Sequence, residues 1–127
     1  MLIIRAKQIA VLDAAMLASF RRRMLAHLQS VFPEHTATWG EHRTVAVIDA
    51  SVSHAGRFGI VAERDVARFV GLVVGLGPEF PDRPETAWTH ELLQAPHLAP
   101  DARVDRLYAG LEPQFPTLAP LWQAWRT

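Results

Sequence analysis

The stretch "RFVGLVVGLGPEF" at 68–80 restricts the fold more than any other part of this chain. It is an apolar run from Phe69 to Pro78, with glycines at 71, 75 and 77. A dinucleotide-binding loop needs G-x-G-x-x-G between a strand and a helix, so that backbone amides can approach a pyrophosphate. Here Gly75-x-Gly77 is followed by Phe80 where the third glycine belongs, and no Gly-Lys-Ser/Thr occurs. A bilayer requires about 20 apolar residues, roughly twice what the run supplies. A core helix with a built-in stop remains. Val66, Phe69, Val70 and Val73 share one face, while Ala67, Gly71 and Gly75 align at i, i+4, i+8 on another. Each interior glycine costs up to about 1 kcal/mol of helix propensity relative to alanine. Close approach of a neighbouring backbone would offset that cost. Gly77 suits the left-handed position after the last turn, with Pro78 beyond it. The expectation is a buried central helix near 63–76, opened by Glu63 and Asp65 where acidic groups favour a helix N-terminus.

Around this element, proline and glycine divide the chain into further helix-sized pieces. From about Arg5 to Phe32 neither residue occurs, and Ile9, Leu12, Met16, Phe20, Met24, Leu28 and Val31 recur at threes and fours. That pattern predicts one helix of about 40 Å at 1.5 Å per residue, ended by Pro33. A second helix is predicted over 38–55, with Val45, Ile48, Val52 and Ala55 inward. Its β-branched centre "TVAVI" at 44–48 leaves a short strand as the competitor. Pro84 and Pro100 read as first-turn prolines of helices at 84–94 and 100–111. Thr117 is placed to cap a last helix carrying Leu118, Leu121, Trp122 and Trp125. The whole reads as one all-α domain, residues 1–127, of five or six helices. At 127 residues such a chain can stand on a single hydrophobic core.

Composition removes several chemistries. There is no cysteine, hence no disulfide, thiolate metal site or cysteine nucleophile, which fits a reducing cytoplasm. Thirteen basic residues balance thirteen acidic ones, so no global field draws the chain to nucleic acid or anionic lipid. The N-terminal "MLIIRAKQIAVLDAAML", interrupted by Arg5, Lys7 and Asp13, reads as the start of a mature cytoplasmic protein rather than a signal peptide.

Candidate catalytic groups fare poorly. The histidines (27, 35, 42, 54, 90 and 97) lack the i, i+3 or i+4 repetition of helical metal ligands, so no metal or other cofactor is expected. Ser51 and Ser53 stand near Asp49 and His54 in "DASVSH", but no glycine-flanked nucleophile elbow surrounds them, and they read as surface serines. Asp101 and Asp105, interleaved with Arg103 and Arg106, read as a solvated helix face. The only basic cluster is "FRRRM" at 20–24; on a helix its three arginines fan over about 200° of azimuth and cannot make one tight patch. No enzymatic activity is expected.

The aromatics point to protein contacts instead. Four tryptophans, at 39, 88, 122 and 125, are many for a small domain, and tryptophan and arginine are over-represented among residues that dominate interfaces. The stripe Leu118, Leu121, Trp122 and Trp125 must be buried either on the chain's own core, with one tryptophan edge left accessible, or in a partner. The candidate partner-binding residues are therefore Leu121, Trp122 and Trp125, with Arg21 and Arg22 from the basic cluster.

The block "FVGLVVGLGPEF…P…W…L…L.P..RVDRLY", from Phe69 to Tyr108, resembles small bacterial accessory proteins encoded beside type VI secretion effectors and their adaptor chaperones. Matching positions include Phe69, Leu76, Gly77, Phe80, Trp88, Arg103, Leu107 and Tyr108, and the long N-terminal helix ending at Phe32-Pro33 fits the same pattern. The resemblance implies a cytoplasmic factor that binds an effector, or its chaperone, before secretion. It transfers no binding residues, and "PLWQAW" lies outside the matching block. An immunity protein that neutralises a toxin, and a small nucleic-acid regulator using Arg21–Arg23, are the alternatives. No membrane contact is expected, and a homodimer is left open.

Overall fold

The computed structural model describes residues 14–126. These form six α-helices and no strand: α1 (Ala14–Val31), α2 (Pro33–Arg57), α3 (Glu63–Leu76), α4 (Trp88–Leu93), α5 (Pro100–Gln114) and α6 (Ala119–Ala124). Short 3₁₀ turns at Phe80–Asp82, Pro84–Thr86 and Pro116–Leu118 join the later ones. The all-α expectation holds. Among the described residues, no helix is long and apolar enough to cross a membrane.

On α1 the buried stripe is Phe20, Met24, Leu28 and Val31, whereas Met16 is 45 % exposed. The predicted start of this helix at Arg5, with Ile9 and Leu12, lies outside the described residues. Pro33 ends α1 as expected, but it also begins α2. A proline has no N–H to give, and the first turn of a helix needs none. Phe32, at φ −126°, is the single residue between the two helices.

Within α2 the chain breaks helical geometry at Gly40, with φ 79° and ψ 167°. A side chain is strained at such a φ. Residues 44–48 are helical, so the strand alternative fails. The buried face is Thr44, Ile48, Ser51 and Ala55, rotated from the predicted one because two hydroxyls turn inward. Thr44 donates to the Gly40 carbonyl and Ser51 to that of Val47, each at 2.7 Å. Returning a hydroxyl to the carbonyl one turn back makes a small polar residue tolerable in a core. Ser51 is thus a core residue rather than a surface one. At the far end Gly59 (φ 75°) lets Ile60 N–H reach back to the Ala55 carbonyl at 3.0 Å, closing the helix.

α3 is the centre, with its predicted limits. Val66, Phe69, Val70, Leu72, Val73, Val74 and Leu76 are all at most 6 % exposed, since α1, α2, α5 and α6 all pack on it. Gly77 (φ 95°, ψ 153°) caps it by donating to the Val73 carbonyl at 2.8 Å, with its ψ extended rather than left-handed helical. The glycine stripe does meet close neighbours, but they are side chains rather than a backbone. A Cβ on Gly71 would lie 2.7 Å from Leu121 Cδ1, and one on Gly75 would lie 3.2 Å from both Leu118 Cδ1 and Phe32 Cζ.

The predicted helix at 84–94 resolves into the 3₁₀ turn at Pro84 and the short α4. Thr86 is the reason the segment bends, since its hydroxyl turns back to the carbonyl of Phe80, a residue fully buried against Phe69. α5 runs past its predicted end at 111 and through Pro113 to Gln114. Its Arg103 is half-buried and joins three loop ends, donating to the carbonyls of Phe58 (2.8 Å), Leu98 (3.0 Å) and Leu93 (3.1 Å). The solvated reading of that face therefore fails at Arg103. Thr117 does not cap the last helix: it lies in the 3₁₀ turn, and α6 starts without a side-chain cap.

Candidate functional site

The five sequence-predicted contact residues go to different places. Leu121 and Trp122 are 0 % and 3 % exposed, docked on the chain's own core. Leu121 occupies the room that Gly71 leaves, and Trp122 stands edge-on to Tyr108 with ring centroids 5.5 Å apart. The Trp122 indole N–H donates to the Phe115 carbonyl at 2.9 Å, so the ring is satisfied at home. Neither residue is available to a partner in this conformation. Arg21 is engaged as well, holding the Asp49 carboxylate through Nε at 2.7 Å and Nη2 at 3.1 Å, and so tying α1 to α2. Arg23 does the same to Glu63 at 2.8 Å. Of the three arginines, only the exposed Arg22 has no ion-pair partner among the described residues. That pairing weakens the nucleic-acid surface further than the helical fan alone does.

Trp125 differs. It follows the end of α6, is partly buried, and lies against His27 with ring centroids 5.0 Å apart. The Arg64 guanidinium lies 5.7 Å from the same ring's centroid, a cation–π contact. Together these groups wall a cleft of about 320 Å³ between α1 and α3. Phe20, Met24, Ala67 and the Trp125 ring give it apolar surface, and Arg23, Glu63 and Arg64 give it charge. His27 Nε2 and Trp125 Nε1 are covered. His27 Nε2 has no hydrogen-bond partner among the described residues, and the Trp125 side chain lies toward the Tyr108 hydroxyl, whose pKa it helps to lower. Burial holds the His27 imidazole below its ordinary pKa, because a charged ring there would lose its water.

Beneath the cleft, α3 and α5 share a buried polar cluster that the sequence reading missed. Arg68 is 6 % exposed; its Nη1 meets Asp105 at 2.7 Å and its guanidinium carbon lies 4.6 Å from the Tyr108 ring centroid. Tyr108 donates its hydroxyl back to the Arg68 carbonyl at 2.6 Å. Burial pushes that phenol up, against the pull of Arg68. Asp65, 7 % exposed, is also pushed up by burial, opposed by Arg68 at 3.9 Å. Such a cluster fixes how α5 sits on α3, and so how the Trp125 segment is carried. One signal was present: Asp65 and Arg68, spaced i, i+3 in "DVARFV", are two charges in an apolar helix and must find partners inside.

The groups weighed for catalysis do not converge. Asp49 is held by Arg21, Ser51 by the Val47 carbonyl, and His54 packs on Phe58 and Phe69. Among the described residues, no three His, Asp or Glu side chains are grouped to hold a metal ion. Comparison with known proteins finds no family model, no curated protein and no solved structure that matches this chain.

Proposed function

We propose that this chain is a non-enzymatic protein-binding factor that engages its partner through the Trp125 cleft. The observation that carries this reading is the placement of Trp125: the one terminal tryptophan left partly open, in a recess with apolar surface and both signs of charge at its edge. An aromatic anchor beside a desolvated recess, ringed by polar groups, is the usual anatomy of an interface hot spot. The cleft, at about 320 Å³, admits an apolar side chain of a partner, with Arg23, Arg64 and Glu63 to fix its orientation. The partner class rests on the sequence resemblance of the 69–108 block: a type VI secretion effector or its adaptor chaperone, met in the cytoplasm before secretion.

Titration calorimetry against the products of the neighbouring genes tests the reading. Trp125→Ala is expected to weaken binding about thirtyfold, the worth of an interface tryptophan of at least ~2 kcal/mol. Unchanged affinity in that variant would remove the cleft from the interface. Loss of a toxin's activity on complex formation would identify an immunity role instead. Binding to nucleic acid that weakens steeply with salt would replace the proposal altogether.

A further inference from the structure

A second recess, of about 270 Å³, lies between α2 and the C-terminal half of α3 and shares no residue with the Trp125 cleft. Val47, Val73 and Val74 line it together with the rings of Trp39 and His54. Its polar groups are mostly spent. The Ser51 hydroxyl is given to the Val47 carbonyl, and burial, assisted by the Arg57 charge and opposed by that of Asp82, holds His54 neutral at pH 7. Among the described residues, the one charged group on the lining is Arg43, whose guanidinium carbon lies 5.3 Å from the Trp39 ring centroid. Among the described residues Arg43 ion-pairs with no carboxylate; other arginines, Arg22, Arg57, Arg64 and Arg106 among them, share that state, but only Arg43 lines this recess.

An apolar recess whose sole charge is an uncompensated cation selects an apolar group with an anion next to it. We propose that this recess takes an apolar side chain of a partner polypeptide flanked by a carboxylate, with Arg43 as the counter-ion. At about 270 Å³ the recess has room for one side chain, and a polypeptide sets a neighbouring carboxylate beside it. The carboxylate gains a charge-assisted hydrogen bond without breaking an existing ion pair, and the ring face of Trp39 can keep its cation–π contact meanwhile. This surface stands apart from the Trp125 reading and does not depend on it.

The test uses the full ¹⁵N-labelled chain with its tryptophan indole cross-peaks assigned, titrated with the capped peptide acetyl-Gly-Phe-Asp-Gly-amide. The Trp39 cross-peak is expected to shift and to saturate at a concentration on the order of millimolar. The Asn analogue should bind roughly two- to fivefold more weakly, the worth of one exposed ion pair. The analogue with Ala for Phe should give no shift, and Arg43→Gln should bring the Asp peptide down to the level of the Asn peptide. A silent Trp39, equal binding of the Asp and Asn peptides, or a shift at Trp125 instead would each overturn the proposal. So would saturation of Trp39 by phenylacetate below the peptide's concentration, which would mark a metabolite pocket.

Discussion

Replacing Gly71 tests the central packing most directly. An added Cβ would lie 2.7 Å from Leu121 Cδ1, about 1 Å inside ordinary carbon–carbon contact, and 3.5 Å from the Tyr108 hydroxyl. Leu121 is fully buried and the Tyr108 hydroxyl is committed to the Arg68 carbonyl, so neither neighbour gives way freely. Gly71→Ala regains up to about 1 kcal/mol of helix propensity against about 1–3 kcal/mol of overpacking. The net is expected between about 0 and 2 kcal/mol destabilising. Gly71→Leu adds three more carbons with no room for them, and α6 must leave its seat. The ceiling is what Leu121 and Trp122 contribute by docking, about 5–10 kcal/mol together. A cost of about 3–5 kcal/mol follows, or roughly 10–20 °C in Tm for a chain of this size. Urea and thermal denaturation followed by circular dichroism would measure it, with exposed Arg22→Leu as the control, expected within about 0.5 kcal/mol of the parent. In the double variant with Leu121→Ala, the new leucine fills the vacated space, so the two costs should fall short of additive by more than about 1 kcal/mol. Equal Tm values for Gly71→Leu and Arg22→Leu, or strict additivity with Leu121→Ala, would refute this packing.

Other perturbations read different parts of the same structure. Trp122→Ala is expected to cost about 3–5 kcal/mol in urea melts, whereas Trp125→Ala should cost clearly less, and a neutral quencher should reach Trp125 and Trp88 but spare Trp122. Arg68→Ala leaves Asp65 buried without its cation and is expected to lose about 3 kcal/mol, more than Asp105→Ala, whose carboxylate is mostly exposed. Burial is the main cause lowering the folded pKa of both His27 and His54, so the unfolded chain takes up their protons first on acidification. Their contribution to stability is full above about pH 6.5 and is lost as pH falls from there through the depressed folded values, and His27→Phe should flatten the Tm–pH curve in that window. Removing residues 117–127 strips Leu121 and Trp122 from the core; it should lower Tm and promote aggregation, and unchanged stability would mean that the segment does not dock as described.

What the sequence by itself determined was local. Pro33, Gly59, Gly77 and Pro100 act through their own backbone dihedrals and missing or freed N–H groups, so the limits of α3 and the starts of α2 and α5 follow from neighbours in sequence, even where α2 was expected to begin later. The 3.6-residue recurrence of Phe20, Met24, Leu28 and Val31 likewise shows which face of α1 is buried, whatever covers it. Tertiary structure decided the rest. Nothing local distinguishes Ser51 in the core from Ser53 at the surface, or chooses Asp49 as the partner of Arg21 from 28 residues away. The glycines of α3 announced a close approach, but only the folded chain shows that Leu121 and Leu118 make it. Trp122 and Trp125 share one apolar stripe three residues apart, yet one is buried and the other edges an open cleft. The stripe gives both rings the same reason to be covered; the room left by Gly71, the carbonyl of Phe115 and the flank of His27 decide how far each one is.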